Sequence, residues 1–345
     1  MTTQLHEQAS STDDQRRRNA VLGLATRAVR AESSSVLAAT VLLVLVIGAL
    51  RPAFFSVGQL RDVLNSSVYV ALLAAGMSFL LSMREIDLSV GSIFGLSLIS
   101  TALLMRGGVS PWLAGALGVL LGGVLGLVNA VVVHYIAIPA FVATLATMQL
   151  YRGLAVALGN GQQVTGLPLD DSFFTVLGGT ELGLPVSVWV LIAVTLLLTG
   201  LLRFTPFGYR VRSIGSNPDA AAFSGISIAG TRTKVLVLMG AVGGLAGVLG
   251  LAFFTSGDPN IGTGFELQAI AAAVIGGTPL RGGTATVFGA VFGAILLGVV
   301  SSGLVFFSIP ANWSSFATGL VVLLAVAVDS VLRSRRRARE SAFGL

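Results

Sequence analysis

Cysteine does not occur in this chain, which excludes disulfides, thiol catalysis and thiolate metal sites. Imidazole is almost as rare, with only His6 and His134, so a His/Cys ligand cluster is excluded and no cofactor or metal is expected. Lysine appears once, as Lys234 after Thr233. A Walker A loop needs Gly-x-x-x-x-Gly-Lys-Ser/Thr to cradle phosphates, so no nucleotide site of that kind is encoded. Charged residues make up 10% of the 345 positions, where a soluble domain carries about a quarter. No paired carboxylates or His/Asp set supports a membrane-embedded enzyme.

What is present is apolar. The hydrophobic fraction is 54% and the mean hydropathy is +0.90. Apolar blocks follow one another with brief polar breaks, and several approach the roughly 20 residues that a helix needs to cross a bilayer core. The reading is an all-α polytopic membrane protein, since a β-barrel would show short alternating strands instead. The 43 glycines fit helices that pack closely in lipid. About ten spans are expected: Val36–Leu50, Val63–Met83, Leu88–Met105, Trp112–Ile136, Phe141–Leu158, Val186–Leu202, Val235–Phe254, Glu266–Gly277, Val287–Phe307 and Phe316–Leu332. Trp112, Trp189 and Trp313 suit bilayer interfaces.

Positive charge sets the expected orientation. Arg16, Arg17 and Arg18 precede the first span, and Arg333, Arg335, Arg336, Arg337 and Arg339 follow the last. Arg203, Arg210, Arg212, Arg232 and Lys234 lie between the sixth and seventh. An even number of spans puts all three clusters on one side, the cytoplasm. This topology accounts for the pI near 10.7 without nucleic acid. Residues 1–35 then form a polar cytoplasmic tail without a cleavable-signal pattern, 36–332 a transmembrane domain in the plasma (inner) membrane, and 333–345 a basic cytoplasmic tail. Gly126–Leu145 and Gly298–Ala317 echo one another, each ending a span, placing Ile-Pro in the break and beginning another. The echo reads equally as an inverted-topology repeat and as two helices that start at proline.

Against this background Arg84, Glu85 and Asp87 stand almost side by side between the second and third spans, in "REIDLSVGS". As structure, Asp87 or Ser89 caps a helix beginning near Leu88, and Arg84 and Glu85 pair with each other or with headgroups. As function, ionisable groups at membrane depth line a path or gate. "GGTPLRGG" (Gly276–Gly283) breaks the eighth span from the ninth, either as a re-entrant turn or as a place where solute meets free backbone groups. Within spans, Asn65, Tyr69, Asn129, Thr144, Thr147, Gln149, Tyr151 and Gln268 can bond a hydroxylated solute, and Phe141 and Phe265 can stack on its apolar face. Most such residues in any bundle are interhelical contacts, and that reading leads for each one.

"EIDLSVGS" closely resembles a motif of the membrane subunits of ATP-binding-cassette importers for monosaccharides, the ribose/xylose/arabinose group. "IPAFVATLATMQLYRGLA" (Ile138–Ala155) is similar to that family's fourth-to-fifth span junction, and "GSNPDAAAFSGI" (Gly215–Ile226) to its cytoplasmic coupling loop. "GTGFELQAIAAAVIGGTPLRGGTATVFGAVFGAILLGV" (Gly262–Val299) is the longest match. "GLPLDDSF" and Arg84-Glu85, where many members have Gly-Gly, resemble the autoinducer-2 and rhamnose permeases in particular. The resemblance implies a translocation subunit that imports a monosaccharide or sugar-like solute. It implies three partners: an ATP-binding subunit in the cytoplasm, an extracytoplasmic sugar-binding protein, and a second permease copy or related permease. The residues expected along the path are Asn65, Tyr69, Glu85, Asp87, Ser89, Asn129, Thr144, Gln149, Phe265 and Gln268. ATPase coupling falls to Asn217, Asp219, Ala220, Ala221, Ala222, Phe223, Ser224 and Gly225, within a loop of about 203–234. The competing reading is an ion-coupled secondary transporter or channel, which needs coupling carboxylates inside spans; Glu85, Asp87 and Glu266 are its candidates.

Overall fold

The computed structural model describes residues 35–310, together with Trp313, Phe316, Ala317, Gly319, Leu320 and Leu323. The expected tails and most of the span expected at Phe316–Leu332 lie outside the described residues. Twelve helices run through the described chain: α1 (Ser35–Leu50), α2 (Val57–Ser82), α3 (Val90–Arg106), α4 (Pro111–Tyr135), α5 (Ala140–Leu158), α6 (Ser172–Leu177), α7 (Val186–Phe204), α8 (Pro206–Ser216), α9 (Pro218–Phe223), α10 (Ile228–Phe254), α11 (Phe265–Ile275) and α12 (Val287–Phe306). A two-stranded antiparallel hairpin, β1 (Thr180–Glu181) with β2 (Leu184–Pro185), pairs Thr180 with Pro185 and Glu181 with Leu184.

Local chemistry sets the helix starts. Ser56, Thr205, Asn217 and Ser227 each accept a backbone N–H from the first turn of α2, α8, α9 and α10. Proline opens α4, α8 and α9, where its missing N–H costs nothing. Two starts differ from expectation for this reason. α2 begins at Val57 rather than Val63, and α10 at Ile228 rather than Val235, because capped polar turns extend each helix beyond its apolar run. Gln59 and Asp62 therefore lie on α2, and Arg232 and Lys234 on α10 rather than in a loop.

Among the described residues six helices are long and apolar enough to cross a membrane: α2, α4, α5, α7, α10 and α12. α1, α3 and α11 are apolar but shorter. The first nine expected spans each fall on one of these helices, six of crossing length and three short, and most of the tenth lies outside the described residues. α2 and α10 form the centre, with 83% and 78% of their apolar windows covered, against 28–39% for α4, α5 and α7. The latter three turn leucines, valines and aromatics outward, such as Leu120, Leu150 and Leu197.

The α4–α10 seam explains part of the glycine content. Gly118, Gly122 and Gly126 recur every four residues on α4 and face Gly240 and Gly244 on α10. A β-carbon on Gly122 would lie 2.3 Å from the Gly240 carbonyl oxygen, so only glycine permits this backbone approach. The two Ile-Pro breaks of the sequence echo share one local geometry: the preceding residues, Ala137 (φ 54°) and Ser308 (φ 60°), are both left-handed.

Candidate functional site

A cavity of about 420 Å³ lies among α2, α10, α11 and α12. Its α2 wall is a stripe of Gln59, Asp62 and Ser66 at helical spacing, with Ser67 beside it. Ser301 and Ser302 of α12 and Gln268 of α11 add amide and hydroxyl groups, and Phe253 and Phe265 add aromatic faces. Gln59 donates its side-chain amide to the Ser302 hydroxyl at 2.7 Å, joining α2 to α12. Phe265 meets Phe94 edge to face, with ring centroids 5.3 Å apart. Polar groups converging between aromatic faces suit a solute that carries several hydroxyls. Of the path residues expected from sequence, this cavity brings together Phe265 and Gln268. Gln59, Asp62, Ser66, Ser301 and Ser302 were missed. The polar spacing 59, 62, 66 carried the signal, but the expected span began at Val63 and left Gln59 and Asp62 outside it, so that Ser66, like Ser301 and Ser302, stood as a lone hydroxyl in an apolar run.

A second polar group is fully buried between the α2–α3 loop, α4 and α5. Asp87 Oδ1 accepts from the Ser89 N–H at 2.8 Å and the Ser89 hydroxyl at 2.6 Å. Asn129 donates to the Ser89 hydroxyl at 2.7 Å and to Asp87 Oδ2 at 3.4 Å. Tyr151 donates to Asn129 Oδ1 at 3.0 Å, and the Leu88 N–H donates to Thr144 Oγ1 at 3.0 Å. Asp87, Ser89, Asn129 and Thr144 all have zero exposure. Asp87 thus folds the residues just before the helix into a local turn. The N-cap of α3 is Ser89, and Ser89 makes no side-chain cap bond of its own.

The remaining path candidates go elsewhere. Asn65 accepts from the Ser187 hydroxyl of α7 at 2.6 Å. Tyr69 is 1% exposed, packed among Phe94, Phe253 and Phe254, and its hydroxyl is buried without a hydrogen-bond partner. Gln149 sits on the exposed face of α5. The pairing of Arg84 with Glu85 is corrected: Glu85 forms an ion pair with Arg232 of α10, and Arg84 donates to the carbonyls of Gly215 and Ser216 at 2.7 and 2.9 Å. A left-handed backbone at Arg84 (φ 63°) separates the two side chains. Among the described residues no group of His, Cys, Asp or Glu is arranged to hold a metal ion.

The segment expected to couple to an ATPase is a short capped helix. Asn217 accepts the Ala220 N–H at 3.1 Å, Pro218 occupies the first turn, and Asp219 lies where the helix dipole favours an anion. Gly225 (φ 80°) turns the chain, and the Gly225 and Ile226 N–H groups bond back to Ala222 and Ala221. Ala221 faces inward at 4% exposure, while Asp219, Ala220, Ala222 and Ser224 face out and Phe223 is 94% exposed.

Comparison with known proteins places this geometry in context. A family described as "Branched-chain amino acid transport system / permease component" matches residues 59–326. The ribose import permease protein of Escherichia coli is 35% identical over 307 residues, 88% of this chain and 95% of that protein. The L-arabinose ABC transporter permease protein of Azospirillum brasilense is 36% identical over 287 residues, 83% of this chain and 84% of that one. The autoinducer 2 import system permease protein of Salmonella typhi is 35% identical over 300 residues, 87% and 86%. No solved structure matches. Family coverage from Gln59 onward and relatives of nearly full length establish that the chain belongs to this permease-component family.

Proposed function

We propose that the chain is the translocation subunit of an ATP-driven importer that carries a monosaccharide or sugar-like solute across the plasma membrane. The observation that carries this reading is the cavity, where carboxylate, amide and hydroxyl groups meet aromatic faces in a chain otherwise so poor in polar residues. The family description names branched-chain amino acids, whereas the relatives cited above import ribose, arabinose and autoinducer 2. The relatives are the better guide. They align along most of the chain, and an amino acid zwitterion calls for opposite fixed charges that the Asp62-bearing lining does not supply.

In this reading the solute path runs past the α2 stripe, with Gln59, Asp62, Ser66 and Gln268 exchanging hydrogen bonds with its hydroxyls and Phe265 packing on its apolar face. ATP hydrolysis belongs to a separate cytoplasmic subunit that docks on α9. An extracytoplasmic binding protein delivers the solute, a second permease copy completes the path, and both termini lie in the cytoplasm.

Reconstitution tests it. The chain alone in liposomes should neither hydrolyse ATP nor concentrate D-ribose, L-arabinose or autoinducer 2. With its ATPase and binding protein it should take up one of them only when ATP is supplied. Uphill uptake by the chain alone on a proton or sodium gradient would overturn the importer reading in favour of a secondary transporter.

A further inference from the structure

The loop between α2 and α3 is bonded in two directions. On one side Arg84 grips the Gly215 and Ser216 carbonyls, the last residues of α8 before Asn217 caps α9. Glu85 holds Arg232, in the opening turns of α10 just after α9, with Arg232 Nε 2.8 Å from Glu85 Oε1. The segments entering and leaving α9 are therefore fastened to two consecutive residues. On the other side Asp87, Leu88 and Ser89 are bonded to Asn129 of α4 and Thr144 of α5.

Packing makes the junction stiff. A β-carbon on Gly215 would lie 1.6 Å from the Ser82 carbonyl oxygen, so the end of α8 is seated directly on the end of α2. The Gly283 N–H donates to that same oxygen at 2.9 Å, which brings in the connection between α11 and α12. Arg84 keeps its left-handed backbone, a conformation that disfavours a β-carbon and that its surroundings hold in place. Two carbonyls, one carboxylate and a seated glycine thus tie the segments on both sides of α9 to the end of α2 and to residues 84 and 85.

Building on the permease reading above, we propose that Arg84 and Glu85 are positioning residues that transmit displacement of α9 to the buried Asp87 group, and so to α3, whose Phe94 packs on Phe265 of the cavity lining. Neither touches solute. Their loss separates ATP hydrolysis from movement of the path while leaving the ATPase docked.

The absence of cysteine gives a clean assay. Ser66→Cys and Ser301→Cys, on opposite walls of the cavity, each provide a single maleimide site per permease chain, read on the separated permease from proteoliposomes that hold it with its ATPase. The labelling rate of either reporter should change between the nucleotide-free and ATP–vanadate states. Arg84→Ala or Glu85→Ala should shrink that change about tenfold, within the roughly 5–150-fold range of ordinary site-to-site coupling. ATPase co-purification and ATP hydrolysis should persist. The double exchange Glu85→Arg with Arg232→Glu should restore the change that Glu85→Arg alone removes. Variants that keep the full ATP-dependent change overturn the proposal. So does loss of the ATPase together with failure of the exchange, which would make these residues part of the docking surface only. If neither parent reporter binds ATPase or responds to ATP, the permease reading fails first and the proposal falls with it.

Discussion

Tyr151 of α5 donates its hydroxyl to Oδ1 of Asn129 on α4, 3.0 Å away, while the amide nitrogen of the same Asn129 serves Ser89 and Asp87. One side chain thus holds three elements together, and every polar partner is buried. Tyr151→Phe removes one donated bond, since the single hydroxyl proton serves either Asn129 Oδ1 or the Leu125 carbonyl, and should cost about 0.5–1.5 kcal/mol. Asn129→Ala leaves the Tyr151 hydroxyl its Leu125 acceptor but takes the donor from both Asp87 Oδ2 and the Ser89 hydroxyl in a fully buried place, so a loss of at least about 1–3 kcal/mol is expected. Thermal unfolding of the detergent-solubilised protein checks the order. Equal melting temperatures for the two variants would mean that Asn129 joins nothing.

The same group decides the outcome at Asp87. Asp87→Asn keeps an oxygen for the Ser89 N–H and hydroxyl but turns a donor toward Asn129, so the effect should be mild. Asp87→Leu leaves both Ser89 donors without their acceptor in a fully buried place and takes from the Asn129 amide one of its two acceptors. It should lower folded yield and uptake together, an effect of several kcal/mol. Normal uptake by a well-expressed Asp87→Leu protein would reduce the position to an incidental turn.

How far the sequence reached depends on the range of the interaction involved. The apolar runs and proline breaks located the helices, because span length and capping are local. The α9 helix was legible for the same reason: Asn217, Pro218, Asp219 and Gly225 each act within a few residues. Glu85–Arg232 and Arg84–Gly215 were not legible, because their partners lie 147 and 131 residues away. Gln59 and Asp62 were hidden by a capped helix start, which broke their stripe with Ser66, and Asn65, one position off that stripe, faces α7 instead.

The glycine seam makes a sharp contrast. Gly122→Val forces α4 away from Gly240, which lies within a clashing 2.3 Å of any β-carbon there. Overpacking of this kind costs about 1–3 kcal/mol or more. Gly153→Ala on α5 meets nothing within 4 Å and should be neutral or slightly stabilising, by up to about 1 kcal/mol from helix propensity. Melting temperatures of the two variants in one detergent provide the comparison. A neutral Gly122→Val would mean that the two helices do not rely on this approach.

Residues on the cavity wall should separate from their neighbours in transport assays. Gln268→Leu removes a hydrogen-bonding amide from the lining and Asp62→Asn replaces a charged acceptor by a neutral amide, and each should reduce uptake of the transported sugar about tenfold, near 1.4 kcal/mol, at unchanged membrane yield. Asn65→Leu breaks a bond to Ser187 outside the cavity, so it should lower thermal stability while leaving the apparent affinity for solute intact. Asn65→Leu raising that apparent affinity constant while Gln268→Leu leaves it alone would place the path on the α7 side of α2.

The exposed face of α9 carries the last expectation. Ala222 and Phe223 are exposed, with Phe223 94% accessible, whereas Ala221 is 4% accessible and packs inward. A large aromatic standing this free on a short capped helix is a natural anchor for a shallow groove on a partner, and small alanines beside it permit close approach. Ala222→Arg places a long charged side chain on that face without disturbing the Asn217 cap or the Gly225 turn. Membrane yield and melting temperature should therefore stay at parent values, while ATPase co-purification and sugar uptake are lost together. Ala221→Arg buries the same charge against the protein's own bundle and should instead lower yield and melting temperature, because an unpaired buried charge is costly. Phe223→Ala should weaken ATPase binding by about 2 kcal/mol or more, as anchors at interfaces do. If Ala222→Arg still binds its ATPase and transports normally, the docking face lies elsewhere and Phe223 is an exposed aromatic of no consequence for coupling.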